Sequence, residues 1–139
     1  MENILSVLES VFQNADARNW DEAEKAFAPE VLYDYTSMAG GSPLTLTPKG
    51  ITDLWKGFLP GFDRTHHIVF DFEIGENEAR FSGQASHFIG ERVWSVVGKY
   101  EASLIKIDDR WRITRFKFIL QEQSGDLQLA GEAMARVKG

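Results

Sequence analysis

The 139-residue sequence contains no cysteine. Disulfides, zinc–thiolate sites, iron–sulfur clusters and cysteine nucleophiles are therefore excluded, and the redox compartment cannot be read from thiol usage. Basic residues are in the minority: 15 Lys and Arg against 21 Asp and Glu give a formal charge of −6. That balance argues against nucleic acid or anionic lipid as a general partner and leaves room only for a local basic pocket. No apolar run approaches the roughly 20 residues of a membrane span. The N-terminus lacks the basic segment and small-residue cleavage site of a secretory signal, so the expected location is cytoplasmic. There is no glycine-rich phosphate loop, no dinucleotide fingerprint and no serine in a nucleophile elbow. Internal repeats and low-complexity tracts are absent as well.

What remains is an ordinary globular composition, 43% apolar and 26% charged. Residues 1–139 are expected to form one domain, large enough for a core and a pocket. Ile4, Leu5, Leu8, Val11 and Phe12 recur at helical spacing within Glu2 to Asn14. Acids in the first turn mark a second short helix from Asp21, which Pro29 is read to end. Val31 to Thr36 reads as a strand, and Ala39 to Pro43 as a flexible loop. Thr47 and Pro48 form an N-cap with proline at the first helical position, opening a helix that carries Ile51, Leu54, Trp55 and Phe58. Long alternating segments follow at 65–74, 79–89, 94–107 and 111–121, then a tail helix from Gly125. Helices first and antiparallel strands afterwards argue α+β rather than βαβ units. A sheet bent around the helices leaves a cavity, with Gly83, Ala85, Gly98 and Ala102 making room in it.

The titratable residues are few. Asp34 shares a strand face with Leu32, and a buried acid there requires a partner. His87 lies on the small-residue face of its strand, where an imidazole points into space. Adjacent His66 and His67 face opposite ways, and alternation with Ile68, Phe70 and Phe72 favours His66 as the inward one. A bulge would reverse that choice. A metal site of His87, one histidine of the pair and Asp34 is conceivable, but nothing in the spacing demands a metal. Tyr33, Tyr35 and Tyr100 are candidate proton donors. Tyr35, Met38, Trp55, Phe58, Phe62, Phe81, Trp94 and Arg115 are candidate ligand contacts, suited to a flat apolar cyclic molecule. The segment from Met38 to Leu46 reads as a lid. Apolar outward positions at Val69, Val97, Ile105 and Ile107 suggest a homodimer.

Several of these residues carry a resemblance. Asp34-Tyr35-Thr36-Ser37 with Gly40-Gly41, the run Leu59-Pro60-Gly61-Phe62-Asp63-Arg64-Thr65-His66-His67, His87, Gly98-Lys99-Tyr100, Trp111-Arg112-Ile113 and Gly125-Asp126-Leu127 together resemble the SnoaL-like branch of the nuclear transport factor 2-like superfamily. The resemblance spans nearly the whole chain. It implies an α+β cone: a strongly curved mixed or antiparallel sheet wrapped around about three N-terminal helices, dimerising through the outer sheet face. It also implies an Asp–His pair that moves a proton. Asp34 matches the acid, and the Thr-x-His signature nominates His67 where alternation nominated His66. His87 matches a second histidine that acts as acid toward a leaving group, with Tyr100 as a further donor. One departure is Asp71, where relatives often carry Asn.

The resulting expectation is a dehydratase or isomerase of cyclic or aromatic hydroxyketones that needs no cofactor. A non-catalytic binding module and an accessory subunit of a ring-hydroxylating oxygenase are the alternatives, because one fold hosts many functions.

Overall fold

The computed structural model describes residues 3–139. Glu2, the first residue of the expected N-terminal helix, lies outside them. Helix α1 (Ile4–Asp16) starts at a capping box in which the Asn3 side chain accepts from the Ser6 amide and the Ser6 hydroxyl accepts from the Asn3 amide. It buries Ile4, Val7, Leu8, Val11, Phe12 and Ala15, one stripe at helical spacing. Helix α2 (Trp20–Glu24) is short, and strand β1 (Phe27–Asp34) follows it. Pro29 belongs to this strand and does not end the helix. It sits where the pairing of β1 with its neighbour slips, a place where a missing amide is tolerated. A one-turn helix α3 (Thr36–Ala39) and a short strand β2 (Leu44–Leu46) occupy the expected lid. Helix α4 (Pro48–Lys56) opens as read, with the Thr47 hydroxyl accepting from Gly50 N–H at 3.0 Å. A 3₁₀ turn (Leu59–Gly61) leads into β3 (Arg64–Ile74), β4 (Glu78–Ile89), β5 (Arg92–Ile107) and β6 (Arg110–Gly125), and α5 (Leu129–Lys138) closes the chain.

The six strands form one mixed sheet in the order β2-β1-β6-β5-β4-β3. Strand β1 runs parallel to β6, and every other pairing is antiparallel. The expected strongly curved cone is not formed. The sheet is open, with β2 and β3 at opposite edges, about 24 Å apart at ordinary strand spacing. Register shifts bend β1, β3, β5 and β6 only locally, and the sheet neither closes nor curls strongly on itself. Helices must therefore supply the enclosure: α1 packs against β3 and β6, while α4 packs against β1. The helix count differs too, since among the described residues four α-helices and the 3₁₀ turn precede β3 and α5 follows the sheet.

The face of β3 is decided by one residue. Asp71 takes a left-handed backbone (φ 56°), and the pairing with β4 shifts between Phe70 and Glu73. Phe72 packs inward, but on the other side of this bulge the inward set is Thr65, His67 and Val69. His66, Ile68 and Phe70 face outward and are exposed. Two glycines on the inner face are filled by rings rather than left empty. A Cβ on Gly83 would meet the Tyr100 ring at 2.6 Å, and one on Gly98 would collide with the Phe118 ring.

Candidate active site

Helix α1 delivers its last residue, Asp16, to the start of β3. The Asp16 Oδ1 lies 2.6 Å from His67 Nδ1 and accepts from the Thr65 hydroxyl at 2.9 Å. The Oδ2 accepts from the His67 backbone N–H at 2.8 Å. Arg18, itself in the left-handed region (φ 60°), buttresses this corner. Its Nη1 donates to the Thr65 hydroxyl at 2.8 Å and to the Ala15 carbonyl at 3.2 Å, and its Nη2 to the Leu59 carbonyl at 2.9 Å. A guanidinium only donates, so the Thr65 proton is directed to Asp16. Burial alone would raise the Asp16 pKa. The hydrogen bonds and charge of His67, with the Thr65 bond, outweigh it and hold the carboxyl below its ordinary range. An ionised carboxylate has no proton to give, so Nδ1 of His67 carries one, and in the neutral form of the ring the lone pair is on Nε2.

His67 lines a cavity of about 300 Å³ whose walls are mostly apolar, among them Phe12, Trp55, Phe58, Trp94 and Phe118. That volume is at the small end for ligand sites and suits a mono- or bicyclic molecule. Met38 and Leu54 line it and are 37% and 47% exposed, so the mouth lies between α3 and α4. Three tyrosine hydroxyls join on the sheet side. Trp55 Nε1–H donates to the Tyr33 hydroxyl at 2.9 Å, and the Tyr35 ring stacks on that of Tyr33 with centroids 4.8 Å apart. Burial raises all three phenol pKa values, which keeps them protonated and able to donate.

His87 lines the same cavity on β4, and its ring centroid lies 6.2 Å from that of His67. Its Nδ1 is 3.0 Å from the Trp94 carbonyl oxygen. Burial pushes its pKa down to about 4, only partly opposed by that carbonyl. At neutral pH the ring is uncharged and its one proton is given to Trp94. This state does not serve the expected role of acid toward a leaving group.

Asp34 lies elsewhere. It ends β1 on the outer face, beside Leu32, which is 43% exposed. Its Oδ1 accepts from the Thr36 hydroxyl at 2.7 Å and the Thr36 amide at 3.0 Å. The Thr36 bonds, with smaller help from Lys117 and Arg115, lower its pKa. It does not line the cavity, and the carboxylate that meets an imidazole is that of Asp16. His66 is exposed and paired with Ser86 across the ladder. Tyr35, Tyr100, Met38, Trp55, Phe58 and Trp94 line the cavity, whereas Phe62, Phe81 and Arg115 do not. Phe62 packs behind His87, and Phe81 stacks beneath Tyr100. Arg115 pairs with Glu101 at 3.2 Å. Asp71 is exposed and stands apart from the histidines on its bulge. Among the described residues, no three metal-ligating side chains converge. Sequence reasoning passed over Asp16. The available signal was its position, because an acid in the last turn of a helix opposes the helix dipole and needs another reason to be there.

A family model described as a SnoaL-like domain matches residues 1–117. No curated protein matches the chain. Among solved structures the chain is similar to the Kfla4162 protein of Kribbella flavida, at 21% identity and a TM-score of 0.78, over 94% of this chain and 93% of that one. It is also similar to hexachlorocyclohexane dehydrochlorinase LinA-type3 of Novosphingobium barchaimii LL02, at 11% identity and a TM-score of 0.69, over 89% and 88% of the two chains. A third is the beta subunit of benzoate 1,2-dioxygenase of Burkholderia mallei ATCC 23344, at 16% identity and a TM-score of 0.69, over 87% and 93%. At these identities the likeness is one of fold.

Proposed function

The chain belongs to the SnoaL-like domain family, and from that premise we propose that it is a cofactor-independent lyase or isomerase of small cyclic or aromatic hydroxyketones. The observation that carries this reading is the 2.6 Å contact of Asp16 with His67 at the wall of an apolar cavity. His67 Nε2 takes a proton from the carbon next to a ligand carbonyl. Asp16 fixes the ring tautomer and stabilises the imidazolium that forms. The electron pair moves onto the carbonyl oxygen, which accepts a hydrogen bond from the hydroxyl of Tyr35 or Tyr100, both of which line the cavity. His67 then returns its proton. Delivered to a departing β-hydroxyl, it gives water and a conjugated enone. Delivered to another carbon, it gives an isomer. One imidazole thus performs both transfers, and His87 is not required as an acid. The dry cavity strengthens each of these hydrogen bonds.

The fold likeness to a dehydrochlorinase supports elimination chemistry, since removal of HCl and of water both begin with proton abstraction. The exposed apolar side chains Ile68, Phe70 and Ile105 on the outer sheet face support a homodimer, for which sedimentation velocity is the test.

The decisive experiment is solvent-deuterium exchange. Tetralone and a β-hydroxytetralone are incubated with the protein in D₂O and followed by NMR. The expected result is exchange at the carbon beside the carbonyl, lost in His67→Ala and in Asp16→Asn. Ligand binding without exchange would leave a binding module and overturn the catalytic reading.

A further inference from the structure

The His87 ring offers an unpaired acceptor to the cavity, and its tautomer is dictated by geometry. Nδ1 lies 3.0 Å from the Trp94 carbonyl oxygen, which has no proton to give. Nδ1 is therefore protonated, and because burial disfavours the charged ring Nε2 holds a lone pair. Among the described residues no buried side-chain nitrogen or oxygen lacks a hydrogen-bond partner. Nε2 has no hydrogen-bond partner among the described residues, so it is not sealed in the core but open to the cavity that His87 lines. The ring is only 5% exposed and is clamped by Trp94, stacked at 4.4 Å, and by Phe62 at 4.9 Å. Neither neighbour can take the lone pair's proton-donor place.

We infer that His87 selects a cyclic ligand carrying a hydroxyl donor that survives the reaction. With no ligand present, Nε2 is open to solvent water through the cavity. A ligand that fills the cavity displaces that water, and without a donor of its own it leaves Nε2 unsatisfied. Hydrocarbons, ethers and haloalkanes are penalised in this way, while phenols and alcohols are not. The hydroxyl in question is not the leaving group. A group that accepts a proton from a hydroxyl increases its negative character and opposes its departure as water. The ligand class is therefore a hydroxylated cyclic ketone with a second, persistent hydroxyl placed near the reacting carbon, since the two imidazole centroids are 6.2 Å apart. This deepens the preceding reading of the cavity as a small-molecule site, and the preference for a hydroxyl donor holds whether or not His67 turns the ligand over.

Two measurements test it. The first is ¹⁵N NMR of the histidine rings in the wild-type protein at neutral pH. The expected pattern for His87 is a protonated Nδ1 and an unprotonated Nε2. A charged ring or the opposite tautomer overturns the inference. The second is calorimetric titration with naphthol and with its methyl ether. The wild type is expected to prefer naphthol by about tenfold, the worth of one hydrogen bond. His87→Phe keeps the ring stack and is expected to abolish that preference. Equal affinity of the wild type for the two probes, or an unchanged preference in His87→Phe, overturns the inference and leaves the small-molecule reading standing. Binding of neither probe overturns both.

Discussion

Two carboxylates of this protein are built almost alike and do different things. Asp16 and Asp34 each stand at the end of an element, each accepts a threonine hydroxyl, and each is held below the ordinary carboxyl range. Asp34 shares its oxygens with its own turn on the outer sheet face. Asp16 shares its oxygens with an imidazole at the cavity wall, and Arg18 holds Thr65 behind it. An acid's strength therefore says little about its chemistry. What counts is whether a group facing the ligand competes for its lone pairs.

The sharpest way to break this comparison is to neutralise each acid in turn. Asp16→Asn leaves one acceptor oxygen where Asp16 uses two and removes the charge that stabilises the imidazolium, and proton exchange on a cyclic ketone should fall by about 10²–10⁴-fold, the range of a lost or misoriented general base. His67→Ala should fall at least as far. Deuterium incorporation rates measure both.

The next effect is the pH dependence that His87 imposes on the interior. Its folded pKa, about 4, is below the ordinary value of 6.5. Between these values the unfolded chain binds a proton that the native state refuses. The stability contribution is thus complete above pH 6.5 and is lost as pH falls toward 4. The loss amounts to as much as about 3 kcal/mol. Urea unfolding at a series of pH values should show this slope in the wild type and a flatter one in His87→Phe. An equal slope in both would remove the interior imidazole from the account.

Thr65→Val and Thr36→Val sharpen the comparison further. Thr65 is 6% exposed and links Arg18 to Asp16, so its loss takes an acceptor from the half-buried Arg18 and a bond from Asp16. The expected cost is about 1–3 kcal/mol. Thr36→Val leaves the Thr36 amide on Asp34 and should cost no more than about 1 kcal/mol. Thermal melts of the two variants, run side by side, read the difference.

The same contrast explains what could be read from the sequence. Helix α1 shows in its apolar stripe, and α4 in its Thr47-Pro48 cap, because both are local signals. The four long strands show in their alternation. The face of β3 does not, because one residue, Asp71, takes a left-handed backbone and reverses the parity on either side. Counting back from Phe72 leads to His66, whereas the inward imidazole is His67. The lone glycines misled in another way. Gly83 and Gly98 signal space on the inner face, but Tyr100 and Phe118 take it, and which ring enters which gap is a matter of cross-strand packing. The openness of the sheet is likewise set by which strands pair, with β1 added beside β6 rather than anything joining β2 to β3. The Asp16–His67 contact joins residues 51 positions apart, and no spacing rule reaches that far.

The smallest expected effect is the control on which the comparison depends. Asp34→Asn keeps the shape of the side chain and an oxygen able to accept from Thr36. Lys117 and Arg115 lie across the ladder on the same outer face and lose only a solvent-screened attraction. Stability should therefore change by less than about 0.5 kcal/mol. Exchange on the cyclic ketone should stay within about twofold, because neither Asp34 nor its hydrogen-bond partner Thr36 lines the cavity. A hundredfold loss of exchange in this variant, with its melting temperature unchanged, would return the catalytic acid to the first strand and take it away from the end of α1.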